Sequence, residues 1–116
     1  MSLERMLDML VSLGLSRTEA QAYFFLAKRG PSSGKELASA LKITKQQLYH
    51  SLKRLRAKGM VNATHTRTAQ FFAVSLEKVL ELYMKTMIEQ AKALQATREE
   101  LLITWRSLLE KDSAKS

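Results

Sequence analysis

The chain has 116 residues, enough for one compact domain and one long appendage, and its hydrophobic content of 46% is ordinary for a globular protein. It contains no cysteine, which excludes disulfide bonds and thiolate metal sites. Its two histidines, His50 and His65, cannot build a zinc site without carboxylate ligands, and no nearby pair of acids offers them. The apolar runs are too short for a membrane span, and Glu4 and Asp8 interrupt the first of them, so we expect a cytoplasmic protein without a signal peptide.

The position of the charge is more informative than its total of +8. Residues 35–67 contain eight basic residues and a single acidic one, Glu36, whereas residues 1–34 have a net charge of +1 and residues 68–116 are neutral. A basic block between near-neutral segments is typical of a surface that binds polyanions, and a solvated basic face is the alternative.

Two helices are predicted ahead of the basic block. Leucine and methionine recur at helical spacing over residues 3–13, which predicts an amphipathic helix that ends near Gly14. Residues 16–19, with the sequence Ser-Arg-Thr-Glu, form a capping box that opens a second helix, and this helix ends at residues 30–31, Gly-Pro. Its apolar stripe is predicted to contain Ala20, Tyr23, Phe24 and Ala27.

Two more helices are predicted within the basic block. Residues 33–36 form a second capping box, which opens a short helix. Residues 44–47 form a third, and the helix that follows runs to about Lys58 and ends at Gly59. Because the connection between these two helices is so short, the pair matches the helix-turn-helix motif.

A hairpin and a long helix are predicted after the basic helices. Residues 60–64 and 70–74 are rich in β-branched and aromatic residues, which predicts two short strands joined by a polar tip. No glycine or proline follows, so one long helix is expected to run from residue 75 to about Glu110. We therefore divide the chain into a domain over residues 1–74 and a long helix with a polar tail over residues 75–116.

The third capped helix has the features of a DNA-recognition helix. Leu48, Leu52 and Leu55 share one face and are expected to face the core, so the opposite face presents amides, an imidazole, a phenol and cations without any acid. Glutamine near the start of such a helix can form hydrogen bonds with base edges, and cations farther along can contact phosphates. The alternative is an amphipathic helix whose polar face is simply solvated. The candidate DNA-binding residues, which include the start of the preceding helix and the hairpin tip, are Ser33, Lys35, Thr44, Lys45, Gln46, Gln47, Tyr49, His50, Lys53, Arg54, Lys58, His65 and Arg67.

Several short motifs lie between about residues 13 and 74. They are residues 14–20 (Gly-Leu-Ser-Arg-Thr-Glu-Ala), Tyr23, Gly30-Pro31, Glu36-Leu37-Ala38, Leu48-Tyr49, Leu52, Leu55, Lys58-Gly59 and Val61. This pattern resembles the TrmB-like winged-helix regulators, which are chiefly archaeal, and MarR-like and ArsR-like domains share the same skeleton. The resemblance implies the order helix, helix, recognition helix, wing, and it implies control of transcription. Larger TrmB-like members carry a C-terminal sugar-binding domain that we expect this chain to lack, so sugar sensing is not carried over.

The long helix carries a heptad seam, in which spacings of four and three alternate and Arg98 is the one polar position. A second apolar row widens the seam and contains Leu76, Val79, Tyr83, Ile88, Leu102 and Leu109. A helix of this length cannot cover both rows against one small domain, so we expect a homodimer, and folding back onto the first helix is the alternative. Arg98 is expected to reach solvent or to pair with a glutamate across the interface. The predicted dimer-interface residues are Leu80, Met84, Met87, Ala91, Leu94, Leu101, Trp105 and Leu108.

No catalytic motif is found in the sequence, which has no glycine-rich phosphate loop, no paired acids in an apolar setting and no metal cluster. We therefore expect no enzyme and no cofactor, and no residue cluster points to a small-molecule effector. The prediction is a mainly α winged helix-turn-helix protein with a small β-hairpin wing and a long C-terminal dimerisation helix, which binds double-stranded DNA in the nucleoid as a transcriptional regulator. The alternatives are a protein-interaction winged helix in a transcription or chromosome assembly and a chromatin-like binder with little sequence preference.

Overall fold

The computed structural model describes residues 2–115, and the side chains of residues 2–110. The chain divides between Val79 and Leu80 into two compact units. The elements in chain order are α1 (Leu3–Val11), α2 (Arg17–Arg29), β1 (Ser32–Ser33), α3 (Gly34–Leu41), α4 (Lys45–Ala57), β2 (Val61–Ala63), β3 (Gln70–Ala73) and α5 (Leu76–Lys115). This order confirms the predicted mainly α, winged-helix fold with a small β wing and a long C-terminal helix. The domain boundary placed between residues 74 and 75 stays a prediction.

The sheet of the first unit has three antiparallel strands in the order β1-β3-β2. β2 and β3 form the predicted hairpin, with Val61 opposite Ala73. β1 pairs Ser33 with Gln70 at the other edge of β3. The sequence does not predict β1, because two serines ahead of a helix give no strand pattern.

Side-chain caps fix where the helices of the first unit begin. The capping boxes predicted for α2 and α4 both form, each with its two reciprocal hydrogen bonds. At α3 only half of the predicted box forms: Ser33 Oγ accepts a hydrogen bond from the Glu36 N–H at 3.2 Å, and the Glu36 side chain does not bond back. The residue that would donate the return bond, Ser33, belongs to β1 and pairs with β3 instead.

The connection between α3 and α4 is a tight turn built on backbone hydrogen bonds. Lys42 has a left-handed φ of 56°, which is uncommon for a residue other than glycine. The Ile43 N–H donates to Ala38 O at 3.2 Å and the Lys42 N–H donates to Ser39 O at 3.4 Å, the two bonds of a Schellman motif. α3 therefore ends abruptly, and Thr44 can begin α4 directly after the turn.

The core of the first unit lies between α2, α3 and α4. Leu26 of α2, Leu37 of α3 and the three leucines on the predicted inward face of α4 are almost fully buried, which confirms that face. The stripe predicted for α2 is wrong at Ala27, which is exposed, while Ala22 is fully buried. The difference arises because α2 packs against both α1 and α4, so its buried surface is wider than a single stripe.

The hydroxyl of Tyr23 links α2 to the end of the wing. It donates a hydrogen bond to Val74 O at 2.6 Å, and the Val74 N–H in turn donates to Met60 O at 2.8 Å. Burial raises the pKa of Tyr23, with the charge of Glu77 acting in the same direction. The base of the β2–β3 hairpin, where β2 begins and β3 ends, is thus fixed to α2.

The second unit consists of the rest of α5, which continues to Lys115, beyond the end predicted near Glu110. From position 84 onward, all the predicted interface residues are exposed, and Leu80 is half-buried. Among the most exposed are Met84 at 61%, Leu94 at 60% and Trp105 at 59%.

Arg98, the polar position of the seam, forms an ion pair with its neighbour Glu99 at 2.8 Å, and both side chains are exposed.

Over the described residues, none of the helices combines the length and the apolar character that a bilayer crossing requires.

Candidate nucleic-acid interface

The outward side of α4 carries most of the candidate DNA-binding residues. Besides the leucines, the inward side buries Ser51. No acid lies between Thr44 and Lys58, so this helix presents amides and cations to solvent. The exposed candidates on α4 and at its two ends are Thr44, Lys45, Gln46, Gln47, Tyr49, His50, Lys53, Arg54 and Lys58.

The start of α4 distinguishes its two neighbouring glutamines. Thr44 Oγ1 accepts a hydrogen bond from the Gln47 N–H at 3.1 Å, and Gln47 Oε1 accepts one from the Thr44 N–H at 3.0 Å. The amide oxygen of Gln47 is therefore engaged in the cap. Gln46 is exposed and takes no part in the capping box, so its whole amide is available to a base edge.

Tyr49 links α4 to α3 and to the wing. Its ring meets Phe71 of β3 edge-on, with 6.3 Å between the ring centroids. Its hydroxyl lies so close to the start of α3 that a Cβ on Gly34 would be 2.9 Å away from it. Tyr49 is 46% exposed, so the phenol packs against the domain while keeping one edge in solvent.

The candidates at the start of α3 differ in how free their side chains are. Ser33 is half-buried, and its hydroxyl caps α3. Lys35, in the first turn of the same helix, is exposed. Of the two, only Lys35 has a polar group that is free to meet a phosphate.

The tip of the wing is held by threonines. The Gln70 N–H donates to Thr64 Oγ1 at 3.0 Å, and Thr66 Oγ1 donates to Thr68 O at 2.8 Å. These bonds shape the turn in the absence of the Asn-Gly pair that hairpins favour. His65 and Arg67 are exposed at this tip, as the sequence predicts.

A groove of about 740 Å³ lies between α4 and the wing. Its lining includes Tyr49, Lys53, Arg56 and Asn62. Arg56 is exposed but is missing from the candidate residues, because on a helical projection it lies close to the leucine face. Because the wing lies beside the leucine face of α4, Arg56 lines the groove and belongs to the basic surface.

Glu19, which is buried beneath this surface, is a second residue that sequence reasoning misses. Its side chain is 2% exposed, and its Oε1 accepts hydrogen bonds from the Ser16 N–H and Lys58 Nζ, both at 3.2 Å. Its Oε2 lies 2.8 Å from Arg54 Nε, and Lys58 Nζ also donates to Gly14 O at 3.1 Å. The sequence assigns Glu19 to the cap alone, although the spacing of Arg54 and Lys58, four residues apart on one face, is a signal for a shared acidic partner.

The environment of Glu19 favours its ionised form. Burial alone would raise the pKa of this carboxyl, but the hydrogen bond from Ser16 and the charges of Lys58 and Arg54 outweigh burial and lower the pKa below its ordinary value of 4.5. The carboxylate therefore stays charged at neutral pH, and part of the positive charge of α4 is neutralised within the domain. Among the residues described, no group of histidines and acids could hold a metal ion.

A comparison with protein families matches residues 9–77 to the family described as the sugar-specific transcriptional regulator TrmB. The chain belongs to the TrmB family. The match extends from α1 through the wing to the start of α5, so it contains every candidate DNA-binding residue.

Relatives of this TrmB-family chain include the HTH-type sugar sensing transcriptional regulator TrmBL1 of Pyrococcus furiosus, 31% identical over 98 residues. The alignment covers 84% of this chain and 29% of that protein, so the chain spans less than a third of the relative's length.

Two solved structures resemble the fold. TrmBL2, described as an archaeal chromatin protein with a novel mode of DNA binding, has a TM-score of 0.76 and 29% identity over 92% of this chain and 43% of its own. The ST1889 protein of Sulfolobus tokodaii has a TM-score of 0.59 and 24% identity over 84% of this chain and 99% of its own, a likeness of fold alone. The named relatives of this family are regulators of transcription and a DNA-binding chromatin protein.

The lowered pKa of Glu19 generates a prediction about stability and pH. Because the carboxylate is paired only in the folded state, its stabilisation is complete above the ordinary pKa of 4.5 and is lost as the pH falls through the lower folded value. Replacing Glu19 by Gln is expected to lower the free energy of unfolding near neutral pH by about 1–2 kcal/mol, a value reduced because Arg54 and Lys58 are partly exposed.

Urea unfolding followed by circular dichroism, at neutral pH and in steps below pH 4.5, measures this difference. The gap between the wild type and Glu19→Gln is expected to close with acidification. Glu36→Gln, which removes an exposed acid of α3, is the matched control and is expected to change stability little. A gap that stays constant at all pH values would show that Glu19 acts through shape and not through its charge.

Proposed function

We propose that this chain binds duplex DNA as a homodimer and regulates transcription, with α4 as the recognition helix and the β2–β3 hairpin as the wing. The observation that carries the proposal is the exposed side of α4, a stretch with no acid in which amides lie near the helix start and cations farther along. An α-helix of this kind fits the major groove, where amides read base edges and cations meet phosphates. The family of the chain supports the same activity.

The electrostatic part of the proposed interface comes from side chains without an ion-pair partner among the described residues. Lys45 and Lys53 lie on α4, Arg56 lines the groove beside the wing, and Arg67 is at the wing tip. Each would neutralise a phosphate and release a counterion, so binding is expected to weaken with salt. Sequence choice is assigned to Gln46, with support from Gln47 and His50.

Dimerisation is proposed through α5. Its apolar seam follows a heptad spacing, and the seam residues from position 84 onward are exposed in the single chain. A coiled-coil pairing of two copies would cover this row, with Leu101, Trp105 and Leu108 as interface anchors. A dimer would present two recognition helices, so the operator is expected to be a pseudo-palindrome with half-sites one helical turn, or a multiple of it, apart.

A second candidate function is a chromatin-like role with little sequence preference. The observation in its favour is the likeness to TrmBL2, which is described as a chromatin protein. The same basic surface serves both functions, since phosphate contacts carry no sequence information. The two functions differ in what Gln46 contributes.

Selection from a pool of randomised duplexes, at a low and a higher salt concentration, tests the proposed function directly. We expect an enriched palindromic motif and an affinity that falls steeply with salt. Salt-sensitive binding without any enriched motif would support the chromatin-like role instead. The absence of binding at both salt concentrations would overturn the DNA-binding proposal and favour a protein partner.

Two substitutions on α4 distinguish a residue proposed to recognise bases from a residue proposed to bind phosphates. Replacing Gln46 by Ala is expected to relax base preference at one or two positions, because it removes an amide without removing charge. Replacing Lys53 by Ala is expected to weaken binding to all sequences alike and to reduce the slope of log affinity against log salt by about one. Competition binding with the selected site and scrambled duplexes measures both, and a change of base preference in Lys53→Ala would contradict this division of roles.

Sedimentation equilibrium tests the dimer, with Leu101→Glu as the disrupting variant and Ile103→Glu as its control. Both positions are exposed apolar residues of α5, but only Leu101 belongs to the heptad seam. The wild type and Ile103→Glu are expected to sediment as dimers, and Leu101→Glu as a monomer, because a buried unpaired charge destabilises a coiled coil. The emission of Trp105, the single tryptophan, is expected to shift to the red when the dimer dissociates. A monomeric wild type, or equal effects of the two variants, would reject this interface.

A further inference from the structure

Arg54 differs from the other cations of α4 because its guanidinium is held by a buried carboxylate. Its Nε lies 2.8 Å from Glu19 Oε2, yet 54% of the Arg54 side chain is exposed. Arg54 makes no other ion pair in the described part of the chain. The contact is an ion pair at Nε, and the four N–H donors on the two terminal nitrogens of the guanidinium are left for a ligand.

Lys58, the second cation at Glu19, is committed to the interior of the domain. Its Nζ donates to Glu19 Oε1 at 3.2 Å and to Gly14 O at 3.1 Å, and 34% of its side chain is exposed. Two of the three ammonium donors are therefore in use within the domain. Withdrawing this ammonium toward a phosphate would leave part of the buried carboxylate without a partner, which is unfavourable.

We propose that Glu19 is a positioning residue for DNA binding: it holds Arg54 through Nε so that the terminal N–H groups of Arg54 clamp a phosphate, while Lys58 neutralises Glu19 and does not contact DNA. This inference rests on the proposed function. It assigns different roles to two cations that the sequence places together on the DNA-binding surface.

The fixed position of the carboxylate is what makes Glu19 suited to this role. The side chain is 2% exposed, and the capping box bonds it to the Ser16 N–H, so it cannot follow a moving arginine. Arg54 therefore loses little further side-chain freedom when its terminal nitrogens bind, in the manner of a preorganised ligand contact. Lys53, on the same helix, is exposed without an ion-pair partner among the described residues and must be ordered by the DNA itself.

A double-mutant cycle on the full chain tests the coupling between Glu19 and Arg54. The probe is a mixed-sequence DNA duplex with a fluorescent end label, and its affinity is measured by anisotropy over a range of salt. In the wild-type background Arg54→Met is expected to weaken binding about tenfold, and in the Glu19→Gln background by less than about threefold, because contacting residues in one network are not additive. The matched control is Lys53→Met, whose effect is expected to be equal in both backgrounds.

Arg54→Lys gives a second test that does not depend on Glu19→Gln being folded. Lysine keeps the positive charge but lacks the fork that pairs with Glu19 and phosphate at once, so this variant is expected to bind as weakly as Arg54→Met. Rescue of wild-type affinity by Arg54→Lys would overturn the proposal, since charge alone would then suffice. An equal cost of Arg54→Met in both backgrounds would overturn it as well.

Lys58→Met tests the structural role of the lysine. It is expected to lower the midpoint of thermal unfolding while leaving the slope of log affinity against log salt unchanged, because no counterion release is lost. A slope reduced by about one would show that Lys58 contacts a phosphate and would overturn that part of the proposal. A wild-type chain that does not bind the duplex at all would instead reject the proposed function itself, which separates the two failures.

Discussion

The buried carboxylate of Glu19 is the point at which three parts of the domain meet. It accepts a hydrogen bond from the Ser16 N–H at the start of α2, and it pairs with Arg54 in the last turns of α4 and with Lys58 at the C-cap of that helix. Through Lys58, the same cluster reaches Gly14 O in the turn before α2. A buried charge is tolerated only while its partners are in place, so α4 cannot rotate or slide on α2 without a loss of stability. The acid on α2 thus acts together with the buried leucines of α4 to fix the direction in which α4 presents its outward face.

This arrangement changes the electrostatic character of the surface from what the sequence suggests. The basic third of the chain carries nearly the whole net charge of +8, and one unit of that charge is balanced by Glu19, which lies outside the segment and pairs with both Arg54 and Lys58. The charge left free on the outward side is carried mainly by lysines of α4 and by the wing. Because Lys58 is engaged by Glu19 and Gly14 O while the Arg54 side chain stays 54% exposed, phosphate binding by such an interface depends on how each cation is placed more than on how many cations there are.

The elements that the sequence predicts well are those set by local patterns. The capping boxes of α2 and α4 and the leucine face of α4 follow from spacings of three and four residues, and the structure contains all of them. β1 and the pairing of Lys58 with Glu19 depend on partners 37 to 39 residues away, which no local pattern encodes. The same reason explains Arg56, which joins the surface only because the wing lies beside it. The candidate residues could be found one by one, but their division into free and committed side chains required the tertiary structure.

The small number of free cations gives the apolar row of α5 a role in DNA affinity. A single domain that offers four or so phosphate contacts is expected to bind DNA weakly at physiological salt. Joining two domains through the seam around Leu101 and Trp105 would make the second contact intramolecular, which raises overall affinity without any new interaction at either half-site. In the proposed homodimer, the fixed orientation of α4 then becomes essential, because both recognition helices must meet their grooves at one spacing. In this proposal the buried acid would hold each recognition helix in place within its own domain, and the exposed apolar row would join the two copies.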